Sequence, residues 1–168
     1  MKTLLLIRHA KSSWDAPGLS DADRPLNDRG KKDAPEMAKR LKKRGLSIDQ
    51  FISSTAKRAR KTAKYFAEEF DVKKEDIKEV EDLYMANTPG FVKTIEDTKK
   101  KHDIIALFSH NPGITEFANS LTHVRIDDMP TCSVFAVQAE VKEWEEFMNA
   151  EKKFLFFDYP GKSDSEWR

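Results

Sequence analysis

The sequence predicts an α/β fold on a mostly parallel central sheet, and three observations carry that prediction. Two short runs, Leu4-Leu5-Leu6-Ile7 and Ile104-Ile105-Ala106-Leu107-Phe108, are apolar throughout, so their strands are buried on both faces and lie mid-sheet. Helical patterns alternate with the strand candidates, which implies right-handed crossovers between parallel neighbours. Each apolar run also stops near a histidine, His9 after Arg8 and His110 after Ser109. Imidazoles therefore arrive at the carboxyl ends of central strands, the edge where open α/β sheets bind ligands.

The remaining elements follow in order. Residues 14–24, rich in Asp, Ser, Pro and Gly, mark a loop over the first strand's end, and loops there shape sites. Asn27 stands in a capping position before a helix whose apolar stripe is Ala34, Met37, Ala38 and Leu41. Pro35 removes an N–H from that helix and crowds the preceding turn, so a kink or break is expected, with Asp33 and Glu36 available to cap a restart. Gly45 ends the helix, and residues 49–54 form a short second strand. The next helix has Ala59, Ala63, Phe66, Ala67 and Phe70 on its apolar face, with Arg58 in its first turn. Residues 77–80 make a weak third strand. Thr88 reads as a cap and Pro89 as the first residue of a helix ending in Lys99-Lys100-Lys101. After the strand over 103–109, Asn111-Pro112 starts a helix with Ile114, Phe117, Ala118 and Leu121 on one face. Residues 133–139 and 154–157 are further strands, with Trp144 in a charged helical turn between them. No repeat or linker interrupts residues 1–168, which read as one domain whose final stretch, 161–168, is a loose tail.

Composition narrows the function classes. A chain of 168 residues buries about two-thirds of its unfolded surface as one domain. Thirty basic residues against 29 acidic give a net charge of +1, which argues against a nucleic-acid binder, so any positive field is local. The apolar run from Leu4 to Ile7 is too short for a signal-peptide core or a membrane span. Cys132 alone makes no internal disulfide and suits a reducing compartment, so a cytoplasmic protein is expected. No Cys or His cluster has metal spacing and the glycines form no nucleotide loop, so neither metal nor cofactor is expected.

The chemistry sits at the strand-to-helix junctions. Arg clamps tetrahedral anions, and His is a nucleophile and proton carrier near neutral pH, so Arg8 and His9 point to phosphate chemistry. Arg8-His9-Ala10-Lys11-Ser12-Ser13-Trp14, then Ser54-Thr55-Ala56-Lys57-Arg58-Ala59, then Ser109-His110-Asn111-Pro112-Gly113 and the closing Phe156-Phe157-Asp158-Tyr159 together resemble the histidine phosphatase (phosphoglycerate mutase-like) superfamily, and within it the small SixA-type phosphohistidine phosphatases. Ala10 stands where the superfamily usually has Gly, so the backbone there cannot use glycine's freedom.

The resemblance implies a three-layer α/β/α sandwich, phosphoglycerate mutase-like, in which His9 is phosphorylated while Arg8, Arg58 and His110 hold the phosphoryl oxygens. Flanking guanidiniums disfavour a cationic His9 and keep it nucleophilic. His110, closer to the phosphate, has scope to stay cationic. The family's acid falls in the stretch matching Glu81-Asp82-Leu83, with Asp82 the candidate and Glu81 the runner-up; its motif here is weak. A phosphohistidine substrate relaxes the need for that acid, because protonated imidazole leaves readily. With no insertion long enough for a lid, a shallow, open site is expected, suited to a phosphorylated side chain on a protein.

Blander readings stand beside these. A lone Arg-His can simply end a strand; the repeat of that placement at His110 favours a site. Arg58 by itself is an ordinary solvated helix residue, and its functional reading rests on the resemblance. Ser12 and Asp15 are candidate substrate contacts, although Ser-rich turns are common without ligands. His102 and His123 read as surface residues or caps, and the Lys39–Arg44 run as a solvated face complementing a helix dipole. The expectation is a metal-independent phosphatase acting through phosphohistidine, with a phosphorylated protein as partner. The rivals are a phosphomonoesterase or mutase on small phosphorylated metabolites, and a non-catalytic phosphate-binding module.

Overall fold

The computed structural model describes residues 1–15 and 17–162. Six strands and four helices run in the order β1 (Lys2–Arg8), α1 (Asp28–Lys43), β2 (Gln50–Ser53), α2 (Lys57–Glu69), β3 (Lys78–Glu79), α3 (Thr88–Glu96), β4 (Ile104–Ser109), α4 (Gly113–Leu121), β5 (Val134–Ala139) and β6 (Lys153–Asp158). The single sheet has the order β3-β2-β4-β1-β5-β6, parallel except for β5, which runs against both of its neighbours. β1 and β4 are adjacent and central, as two runs without polar residues require.

The pleat divides the core. Leu5 and Ile7 of β1 face α1 and α2, with Phe51, Ala106 and Phe108 beside them. Leu4 and Leu6 face α3 and α4, where Phe91, Ile95, Ile114 and Phe117 pack. Both faces of the sheet are thus covered by helices, giving the expected three layers. All four apolar residues of β1 are 0% exposed.

Local signals are confirmed in part. The Asn27 side chain accepts a hydrogen bond from Gly30 N at 2.9 Å, capping α1. Gly45, with φ +81°, follows the end of that helix. The expected break at Pro35 does not occur: α1 runs unbroken through it. An interior proline costs about 3 kcal/mol. Met37 and Leu41, 1% and 2% exposed, each contribute about 1.5–3 kcal/mol on burial, with Ala34 and Ala38 adding to the same stripe, so packing outweighs the lost hydrogen bond. At α3 the cap is Asn87, not Thr88, and the helix stops at Glu96, before the lysine run. Pro160 and Gly161 form a turn closed by Lys162 N–H donating to Tyr159 O at 3.1 Å, and Lys162 Nζ donates to Phe157 O at 2.5 Å, while residues 163–168 of the expected tail lie outside the described residues.

Candidate active site

The register of the two central strands builds the site. Arg8 on β1 pairs with Ser109 on β4, so the next residues, His9 and His110, emerge side by side at the carboxyl edge. Their ring centroids lie 5.1 Å apart with planes at 54°. They line a cleft of about 350 Å³ together with Arg8, Arg58, Arg24 and Asp21.

His9 is 7% exposed, and its Nδ1 lies 2.7 Å from Ala10 O. A carbonyl only accepts, so Nδ1 carries the proton and Nε2 keeps its lone pair. Burial, and then the Arg58, Arg8 and Arg24 guanidiniums, hold the imidazole down to about 4, so it is neutral and nucleophilic at pH 7. Ala10 takes an ordinary backbone conformation outside the left-handed region. Its N–H donates to Thr62 Oγ1 at 2.9 Å, and that hydroxyl donates to Arg58 O at 2.8 Å, tying the His9 backbone to the helix bearing Arg58.

His110 is anchored differently. Its Nε2 lies 2.7 Å from Ser54 Oγ, which accepts from Ala56 N at 3.1 Å. Nε2 is the one acceptor within hydrogen-bond reach of the Ser54 hydroxyl among the described residues, and a hydroxyl that donates there places the ring proton on Nδ1. Nδ1 is buried and has no partner among the described residues. Burial and the neighbouring His9 and Arg58 lower His110 to about 3. The Asp21 carboxylate acts the other way but does not outweigh them, so His110, 2% exposed, is neutral at pH 7 and not cationic as expected.

The guanidiniums come from three segments. Arg8 Nη1 donates to Met129 O at 2.8 Å, with Asp128 at 4.0 Å. Arg58, 3% exposed, donates through Nη1 to Asp21 O at 2.6 Å and through Nη2 to Asp21 Oδ2 at 3.0 Å. Arg24 bonds Asp21 Oδ1 at 3.0 Å, Ser13 O at 3.1 Å and the Ser12 hydroxyl, and its guanidinium lies 3.3 Å from the centre of the Trp14 ring. Asp21 thus sits among cations, and Tyr84 Oη donates to its Oδ2 at 2.6 Å. These donors, the Tyr84 hydroxyl foremost, hold the Asp21 carboxyl well below the usual carboxylate range, so it stays ionised.

Among the other sequence candidates, Ser12 lines the cleft. Asp15 is exposed and does not line it. Asp82 and Glu81 are not brought to it either. They occupy a short 3₁₀ turn over Glu81–Leu83, and Asp82 points to Lys93, 3.3 Å away, beside a separate depression. The cause is Leu83: its side chain is buried in the core and its carbonyl accepts from Ser109 Oγ at 2.7 Å, fixing the turn so that Tyr84 reaches the site. The Tyr84 ring meets His110 edge-on at 5.6 Å. Gly113 lets the backbone at Ala86 pass close to the start of α4, since a Cβ there would lie 1.8 Å from Ala86 O. Asp21, Arg24 and Tyr84 are not among the sequence candidates, although Asp21 and Arg24 lie in the loop expected over the strand end and Arg24 opens a segment, Arg24 to Gly30, that resembles the family's lead into its first helix.

Similarity agrees with this geometry. Residues 4–90 match the histidine phosphatase superfamily (branch 1). An uncharacterised chloroplast protein of Arabidopsis thaliana is 33% identical over 153 residues, 86% of this chain and 70% of that protein. A 2,3-bisphosphoglycerate-dependent phosphoglycerate mutase of Bartonella bacilliformis is 37% identical over 70 residues, which is 40% of this chain but 34% of the mutase. In structure, a protein assigned as the phosphohistidine phosphatase SixA of Agrobacterium tumefaciens superposes with a TM-score of 0.79 at 24% identity, over 95% of this chain and 99% of that one. The matched sequence holds Arg8, His9 and Arg58 but ends before His110, which the parallel pairing of β1 with β4 returns to the same edge. With just over half of its length, residues 4–90, matching the family's sequence pattern, this protein belongs to the histidine phosphatase superfamily.

Proposed function

We propose that the chain is a phosphatase that works through a phosphohistidine on His9 and that its substrate is phosphohistidine on a protein. The carrying observation is the asymmetric anchoring of two facing imidazoles: His9 presents a lone pair on Nε2, and His110 presents an N–H on Nδ1. In the proposed first step His9 Nε2 attacks phosphorus and the P–N bond to the substrate breaks. The departing ring, protonated on its other nitrogen, leaves as neutral imidazole. Arg8, Arg58 and the His110 N–H hold the equatorial oxygens as charge moves from one ring to the other. Water then attacks the phosphorylated His9, releasing orthophosphate and the neutral imidazole.

Leaving-group chemistry supports the choice of substrate. An alkoxide departs readily only with a proton from a nearby acid. Asp21, the carboxylate in the cleft, is held ionised, and Asp82 and Glu81 face elsewhere. A phosphohistidine whose ring already carries a proton on its other nitrogen relaxes that requirement. The likeness to SixA structures points the same way. The partial similarity to phosphoglycerate mutases favours a second reading, a phosphomonoesterase or mutase on a small metabolite.

Rapid quench with labelled phosphoimidazole is expected to trap an acid-labile phosphoenzyme, and steady-state turnover to favour phosphohistidine over alkyl phosphates. Preference for alkyl phosphates would install the metabolite reading. Phosphate binding without any phosphoenzyme would identify a non-catalytic module.

A further inference from the structure

On the reading that the substrate is a phosphorylated protein, we infer that the exposed face of α2 is the docking surface for an acidic face of that protein. Lys57, Arg60, Lys61 and Lys64 recur at i, i+3, i+4 and i+7, so they share one side of α2, opposite the buried Ala59, Ala63, Phe66 and Ala67. With Lys74 they line one open depression of about 390 Å³, in which these five cations stand against two carboxylates, Glu75 and Glu79. Three of these cations fall in the first two turns of a helix that has no acidic residue in its first turn and no side-chain cap. Positive charge at that end opposes the helix dipole and repels its neighbours, a local cost that a bound anionic partner would offset.

Several cations elsewhere in the chain are paired. Arg40 pairs with Asp158, Lys93 with Asp82, and Lys100 with Glu143. On α2 only Arg60 has an acidic neighbour, Glu79 at 3.8 Å, while Lys57, Lys61 and Lys64 have no ion-pair partner among the described residues. In a chain of net charge +1 this is a local excess of positive charge.

Position ties the face to the reaction. Arg58 projects from the same first turn into the cleft, so a partner lying along α2 has its edge at the mouth. There it meets exposed apolar groups that line the cleft: Trp14 is 79% exposed and Met85 54%. Exposed apolar surface beside unpaired cations suits a folded protein with an acidic rim better than a nucleic acid.

The test measures two donors at low ionic strength, phosphoimidazole and an acidic carrier protein phosphorylated on histidine. The Kd of the unphosphorylated carrier is measured separately. The double variant Lys61→Glu/Lys64→Glu is expected to weaken carrier binding and lower kcat/KM for the carrier by about tenfold or more, with phosphoimidazole turnover unchanged. Added salt is expected to erode the wild-type advantage. A carrier whose acidic rim is changed to Lys is expected to regain affinity for the variant. An unchanged carrier Kd in both the Glu and the milder Lys61→Gln/Lys64→Gln variants overturns the proposal, and so does an equal fall for both donors. A single-stranded oligonucleotide that displaces the carrier from wild type would overturn it in favour of nucleic acid. Failure of the underlying reading looks different: wild type would turn over neither donor, whereas the carrier Kd still reports on docking.

Discussion

The carboxyl ends of β1 and β4 are the same device used twice. Each is a buried apolar strand that delivers an imidazole one residue past its last pair, Arg8 with Ser109. Their surroundings then separate them. His9 is tied through Nδ1 to the carbonyl of its own neighbour, Ala10, a local bond that leaves Nε2 basic. His110 is tied through Nε2 to Ser54, from β2's end, leaving Nδ1 as the outward donor. In the proposed reaction, opposite anchors on matched strands make one ring the nucleophile and the other the oxyanion donor.

Breaking either member sharpens the comparison. His9→Ala is expected to abolish the phosphoenzyme and lower turnover by about 10⁴-fold or more, read by rapid quench, since no other group takes the phosphoryl. His110→Ala is expected to leave labelling detectable but slower by roughly 10²–10³-fold, the size of losing one oxyanion donor. Equal losses in the two variants would erase the division of roles.

Ser54→Ala is expected to cost about tenfold in kcat, the worth of one buried hydrogen bond, with a shifted pH profile as His110 loses its tautomer. Asp21→Asn is expected to tighten orthovanadate binding by roughly threefold to tenfold, because the carboxylate and a bound anion compete for Arg58. Weaker binding in that variant would mean that Asp21 serves only to position Arg58.

Stability against pH reads both rings together. Each is depressed in the fold, from 6.5 to about 4 for His9 and to about 3 for His110, so the unfolded chain takes up protons first. Their contribution is complete above about 6.5 and falls as pH drops through that value toward 4 and 3. Denaturant midpoints should decline through this window, and less steeply in His110→Ala.

Some of this was legible because it is local. An unbroken apolar run has only one low-cost place in an α/β sheet, and a cap such as Asn27 acts within one turn. The Pro35 break failed because helix propensity ignores the buried stripe of Met37 and Leu41, which only packing supplies. Asp82 and Glu81 failed for a related reason: Leu83 needed the core, and its burial turned the acids away.

From its residues alone the chain determined that two central strands would each carry a histidine to one edge, since burial on both faces leaves no other position for those runs. Which nitrogen each histidine presents was decided by the tertiary structure, as was the engagement of Arg58 by a carboxylate 37 positions away. Hydrogen bonds between distant segments depend on distances of a few tenths of an ångström, and these exist only once the sheet has brought those segments together.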